Sequence, residues 1–285
     1  YKRQVVDLPI EKALGKYLVN YEYHPIFVQA TDEDEKKFAK ATALMLSAID
    51  PVRKIIIDEE KFTLGYRGRL RAISMAEEKH ERISEIFSHI QDKDHTIIYC
   101  SDGKSCFEGT PRVNATEEIR HLEYILHLIN TSCLSSVGSG KASKFTATED
   151  IQERMQLIDS FNKGYIEYLV AIRCLDEGIN IPSIKSALIL SSNDNYREFV
   201  QRRGRILRLY PGKEKAHIYD VIVLPSILNK AFAQIEFRRY FEYSRLALNK
   251  DILVDKLERL MSDYDLSYDD IKFNNDYVYG GDLDD

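Results

Sequence analysis

A chain of 285 residues with 44% hydrophobic and 30% charged side chains can bury one large core, or a core with a smaller appendage. No apolar run approaches the ~20 residues that cross a bilayer. Four cysteines (Cys100, Cys106, Cys133, Cys174) without a CxxC pair or histidines at ligand spacing exclude the common structural zinc sites, so the reading is cytoplasmic, reduced and metal-free.

The formal charge of −6 argues against a nucleic-acid partner only as a sum. Residues 251–285 hold eleven acidic against three basic side chains, whereas residues 195–215 hold seven basic against two acidic. A basic patch on a near-neutral body is what phosphate binding requires. The chain opens at Tyr1 in mid-pattern and is read as a piece of something longer.

In chain order, Val5-Val6 and Phe27-Val28 read as short strands. Thr31 caps a helix running to about Ile49, with acidic residues in its first turn and Phe38, Ala41, Met45 and Ile49 on one face. A second helix is expected from about Gly68 to Ile90, with Leu70, Ile73, Ile83, Ile86 and Phe87 inward. Thr96 to Cys100 is a short buried strand, and Asn114 to Glu117 is a capping-box-like start to a helix ending near Asn130. The Ser, Gly, Thr and Ala-rich stretch 132–147 is expected as a loop leading into a short strand. The helix from Glu149 to Asn162 should stack Ile151, Met155, Ile158 and Phe161 on one side and stop at Gly164.

Apolar runs at Tyr168–Ile172 and Ala187–Leu190 are strands buried on both faces, and the second leads into five arginines in twelve residues, Arg197 to Arg208. After Pro225 the pattern is helical: Ser226 to Asn249, Asp251 to Ser262, and a short third helix before an acidic tail. There Arg238-Arg239 is expected exposed, where it would extend a nucleic-acid track. Strands alternating with helices from Thr96 to Leu224 make an α/β parallel sheet covered on both faces.

Two stretches carry a specific resemblance. Arg173-Cys-Leu-Asp-Glu-Gly-Ile-Asn-Ile-Pro182 resembles motif V of superfamily 2 helicases and translocases, and Gln201-Arg-Arg-Gly-Arg-Ile-Leu-Arg208 resembles their motif VI, in matching order and separation. Leu18-Val-Asn-Tyr-Glu-Tyr-His-Pro-Ile26 is similar to the connector after the first motor domain in the type III restriction and excision-repair branch. The resemblance implies a second RecA-like lobe. Residues 1–30 would be a connector from a first motor lobe, 31–92 a helical lead-in, 93–225 the RecA-like lobe and 226–285 a helical extension with an acidic tail.

It also implies roles. Arg205 and Arg208 match the arginine-finger positions, which stabilise charge building on the γ-phosphoryl group, and at a spacing of three they are expected on one helix face. Gln201 and Arg202 would support them at the interdomain cleft, with Arg202 and Arg203 alternatively held by nearby carboxylates. Gly204 would let the backbone pass close to a neighbour. Gly178 and Asn180 would lie near the nucleotide, Asn180 standing where aspartate is common. Ile172 stands where relatives carry a backbone-gripping threonine, so Arg173 is the expected phosphate contact there. Ser101 and Lys104, in the loop after the Thr96–Cys100 strand, would lie near nucleic acid.

Asp102-Gly-Lys-Ser105 and Gly138-Ser-Gly-Lys141 each lack the first glycine of a phosphate-binding loop, and the second also lacks the hydroxyl. ATP with Mg2+ is therefore the implied cofactor of a longer chain whose first lobe supplies those parts, and this stretch alone is not expected to hydrolyse ATP. The implied partners are DNA, with RNA open, and the first lobe of the same polypeptide. A nucleic-acid-binding module without motor activity, or a protein-interaction scaffold, stay open as other classes.

Overall fold

The computed structural model describes residues 9–90, 93–105, 107, 118–131, 141–146, 149–172, 181–191 and 196–272. A short helix α1 (Ile10–Ala13) precedes β1 (Asn20–Gln29), after which α2 (Asp32–Leu46) and α3 (Glu59–Ser74) form an antiparallel pair. Then follow α4 (Glu77–Glu81), α5 (Ile83–Ser88), β2 (Thr96–Cys100), β3 (Lys104–Ser105), β4 (Ile119–Arg120), α6 (His121–Asn130), β5 (Ala142–Phe145) and α7 (Ile151–Asn162). The chain continues through β6 (Tyr168–Ile172), β7 (Ser186–Ile189), α8 (Tyr196–Ile206), β8 (Lys215–Leu224), α9 (Lys230–Ser244), α10 (Lys250–Asp263) and α11 (Tyr268–Ile271).

Six strands form one parallel sheet in the order β1-β8-β7-β2-β6-β5, and β3 pairs with β4 antiparallel beside it. Apolar side chains on both faces of the central strands generate two core layers. One packs Tyr21, Tyr99, Leu169 and Ile189 against Phe199, Phe237 and Leu257. The other packs Val28, Ile98, Val170 and Val221 against Phe38, Ile86, Phe87 and Ile125. The expected α/β sheet with helices on both faces is present, and among the described residues no helix is long and apolar enough to cross a membrane.

Several local expectations are revised. The strand expected at Phe27-Val28 spans ten residues and pairs with β8 along its whole length, so the stretch read as a connector supplies an edge strand of the sheet. Its outer edge is closed by the C-terminal extension. The Asn249 side-chain amide accepts from Tyr23 N (3.1 Å) and donates to Tyr23 O (2.9 Å), and Leu248 N donates to Tyr21 O (2.8 Å).

The single helix expected at Gly68–Ile90 is three. The first starts at its Asp58 cap, and Met75-Ala76 interrupt it before Glu77 N donates to Asp34 Oδ2 at 3.2 Å. Gly65 lets α2 and α3 touch, since a Cβ there would sit 2.4 Å from Met45 N. On α7 Phe161 is buried, but Ile151 and Met155 are 77% and 67% exposed, so that helix buries only its C-terminal half. Asn114 to Glu117 and Val5-Val6 lie outside the described residues.

Arg239 is buried, not exposed. Its Nε donates to Asp220 at 3.0 Å, Nη1 to Glu236 at 2.6 Å and Nη2 to Val221 O at 3.0 Å, while Tyr23 Oη donates to Asp220 at 2.9 Å. Lys79, also buried, adds a second positive charge whose field reaches Glu236 and Asp220. Two acids and two bases thus balance beneath the sheet, locking α9 onto β8 and β1. Arg239→Ala leaves two carboxylates underpaired in the core and is expected to cost about 3–5 kcal/mol in urea denaturation. Arg238→Ala, whose Nε donates to Ile271 O, should cost under about 1 kcal/mol.

Candidate arginine site

The strands β2 and β7 end side by side, with Leu190 N and Ser191 N both donating to Tyr99 O at 3.1 Å. The end of β7 is held further by Lys79 Nζ, which donates to Leu190 O at 2.9 Å, and by Ser191 Oγ, which donates to Ser74 Oγ at 2.9 Å. The arginine helix α8 starts five residues beyond Ser191 and packs back through Phe199, Ile206 and Leu207.

Its arginines divide into two kinds. Arg202 is 2% exposed; its guanidinium lies 4.3 Å from the centre of the Tyr99 ring, donates to Ser191 O at 3.3 Å and pairs with Glu198 at 3.7 Å. Arg203 is fully buried and donates to Glu242 O, with the Glu242 carboxylate at 3.9 Å and the Tyr243 ring at 5.9 Å. It bolts α8 to α9, which is the carboxylate-held alternative.

Arg205 and Arg208 are only partly buried. They do not share a helix face as the spacing implied, because α8 ends at Ile206. Arg208 forms an isolated antiparallel bridge with Leu18, and Val19 N donates to Leu207 O at 2.8 Å. The charges of Arg205 and Arg208 still act on each other: partial burial first, then the like charge of Arg205, lowers Arg208 from the usual arginine range. Such crowding is relieved by a bound anion. Gly204 does not serve a close contact within the chain, since a Cβ there meets no described atom within 4 Å and would project into open space.

Gln201 is exposed on α8. Ser101 is buried, its N–H donating to His121 Nδ1 (3.2 Å) and its Oγ accepting from Gly103 N (3.0 Å), so it shapes the turn after β2. Lys104 is exposed on β3 directly opposite Arg120, and Arg71 Nη2 donates to its carbonyl at 3.2 Å. Arg173, Gly178 and Asn180 lie outside the described residues.

A different constellation offers three donor atoms to a metal: Glu22, His24 and His217, which β1 and β8 place together. His24 Nε2 and His217 Nδ1 are 3.1 Å apart, the ring centres 5.4 Å apart and the planes within 21°. Those values place both nitrogens on the line between the rings, each lone pair facing the other ring. That is one imidazole donating to its neighbour. Two lone pairs so aligned do not converge on a cation ~2.0 Å from each. Glu22 Oε1 is meanwhile paired with Lys215 at 2.7 Å.

Residues 78–210 match the family described as the helicase conserved C-terminal domain. Over this segment the chain is similar to the C-terminal domain of helicases, in line with the resemblance of its two motif-like stretches. The chain is 22% identical over 215 residues to the DNA 3'-5' translocase XPB2 of Sulfurisphaera tokodaii, covering 70% of this chain and 43% of that protein. It is 34% identical over 98 residues to the UvrABC system protein B of Leptospira biflexa, covering 33% of this chain and 14% of that protein. In fold it is similar to the Sulfolobus solfataricus SWI2/SNF2 ATPase core in complex with dsDNA, with TM-score 0.50 and 14% identity over 90% of this chain and 52% of that one. The chain spans less than half the length of these two curated relatives.

Sequence reasoning missed Tyr99, Lys79 and Lys213 as supports of the arginine site. Lys213 had a local signal, a lysine two residues after Pro211 and just beyond the arginine run; the other two reach the site only through the fold.

The lobe also buries titratable rings beside Ser101. Burial lowers His80 to about 4, and burial together with His80 and Lys79 holds His121 well below the usual histidine range; their rings meet edge to face at 4.9 Å. Both pKa values are depressed on folding, so below about pH 6.5 the unfolded chain takes up protons that the folded one refuses. The contribution of these rings should be level above that pH and fall on acidification toward about pH 4, by on the order of 2 kcal/mol for His80 by pH 5, with His121 acting in the same direction. Urea titrations across this range test it, and His80→Phe should flatten part of the slope.

Proposed function

We propose that this lobe works with an upstream RecA-like lobe as an ATP-dependent DNA translocase or helicase, contributing arginine fingers and part of the nucleic-acid track. The observation that supports this best is the division among the arginines. Arg202 and Arg203 hold α8 in place, while Arg205 and Arg208 are only partly buried and their like charges act on each other.

Two permanently charged, fork-shaped donors suit a γ-phosphoryl group gaining charge as its bond to the leaving group breaks. The residues present fit the phosphate end of a nucleotide. ATP and magnesium, when bound, would supply the scissile anhydride and the charge neutralisation of its phosphates. Gly178 and Asn180 would border the nucleotide, with Gln201 and Arg202 behind the fingers. Arg173, Lys104 and Ser101 would line the nucleic-acid backbone, Lys104 contacting phosphate and Ser101 shaping its loop.

In the full-length protein, Arg205→Ala should lower DNA-stimulated ATP hydrolysis by about 10³-fold or more while leaving the melting temperature within a few degrees. Near-normal turnover would refute the assignment. Lys104→Ala should weaken DNA binding uniformly across sequences and make the slope of log affinity against log salt shallower by about 0.7–0.9.

A further inference from the structure

Beyond the arginine series the chain turns sharply at Pro211-Gly212, with Gly212 at φ +77° and Lys213 N donating to Tyr210 O at 3.0 Å. This left-handed position, which glycine takes without strain, swings the next side chain back under the end of α8. Lys213 is 7% exposed, and its Nζ donates to Ile206 O at 2.5 Å, Arg208 O at 3.1 Å and Pro182 O at 3.5 Å. An ammonium has three N–H donors, and here each has a carbonyl.

These acceptors come from the two stretches that carry the helicase resemblance: Pro182 closes the first, and Ile206 and Arg208 end the second. No carboxylate is paired with Lys213 among the described residues, which is unusual for a buried ammonium. Burial lowers it to about 7, while three carbonyl dipoles and the C-terminal end of α8 favour the charged form and oppose that shift. A group that costly to bury is retained for what it fixes.

We propose that Lys213 is a positioning residue for the arginine pair: its ammonium pins the segment from Ile206 to Arg208 against the turn at Pro182 and so sets where the Arg208 guanidinium stands relative to Arg205. The inference deepens the reading of Arg205 and Arg208 as fingers and rests on it for its catalytic consequence. The geometry explains how two arginines on different pieces of backbone keep their relative positions. Arg205 is carried by α8, whereas Arg208 lies beyond the helix end and is placed by its bridge to Leu18 and by Lys213. Removing the ammonium leaves both core layers in place, so the lobe should fold with the 206–208 segment and its links to Leu18 and Val19 loosened and Arg208 displaced.

The test uses Lys213→Met, which keeps the apolar stem and deletes the donors, in the full-length protein. The expected result is a loss of about a hundredfold in kcat for DNA-stimulated ATP hydrolysis, with KM for ATP changed by less than about threefold. The double variant Lys213→Met/Arg208→Ala should be no slower than Arg208→Ala alone, because both act through one guanidinium. Unchanged kcat, or losses that multiply in the double variant, would overturn the proposal.

Amide hydrogen exchange on the 285-residue chain provides an independent readout. Lys213→Met should speed exchange at Val19 and Leu207 by at least about tenfold and leave the amides of β2 and β6 unchanged. Unaltered protection at Val19 and Leu207 overturns the pin whatever the enzyme does. Should the unmutated protein fail to hydrolyse ATP, the functional reading falls, and the exchange result still decides the inference.

Discussion

The parallel sheet and its extension depend on the burial of two guanidinium groups on consecutive residues. Arg202 stacks on Tyr99 of a central strand, and Arg203, the next residue, reaches Glu242 on α9. Consecutive helical residues point about 100° apart, so one anchors α8 to the sheet and the other anchors it to the extension. With two directions fixed, the helix cannot roll. The side chains that remain, Arg205 and then Arg208, are presented where the anchored faces are not. A basic run usually marks a solvated face; here nearly half of it is interior.

That anchoring makes the C-terminal extension part of the lobe. Arg203 needs the Glu242 carbonyl and carboxylate, β1 needs Asn249 to satisfy its outer edge, and Asp220 needs Arg239 from α9. Each contact joins residues nearly 20 to more than 220 positions apart in sequence. An extension bound by desolvated ion pairs and edge-strand hydrogen bonds is costly to detach, since each broken link strands a buried polar group.

The sheet was legible because β2, β6 and β7 are short apolar runs buried on both faces, and period and length suffice to recognise those. The helix start at Thr31, marked by its capping residue, was legible for the same local reason. What was not legible had a non-local cause. β1 alternates between buried and partly exposed positions and becomes a strand by pairing with β8, nearly 200 residues later. Ile151 and Met155 have helical spacing but stay largely exposed, because a pattern states which residues share a face and not whether anything covers it. Arg205 and Arg208 were picked out as a pair whose spacing of three suggested one helix face, and the helix stops between them. Arg239 looked exposed because its partner Asp220 lies on a strand that no local pattern connects to it.

The break between Arg205 and Arg208 has a physical advantage over a continuous helix. Residues three apart on a helix move as one body, so their guanidinium groups keep a fixed separation. Here Arg205 follows α8, while the backbone at Arg208 is tied to Leu18 near the start of β1 and to the turn at Pro182. The separation of the two charges is therefore set by three elements of the sheet's end rather than by helix geometry. Their repulsion, visible in the lowered Arg208, acts within that framework, and an anion between them would offset it. An arrangement rigid in backbone and strained in charge is preorganised for phosphate, since the protein need not reorganise when the anion arrives.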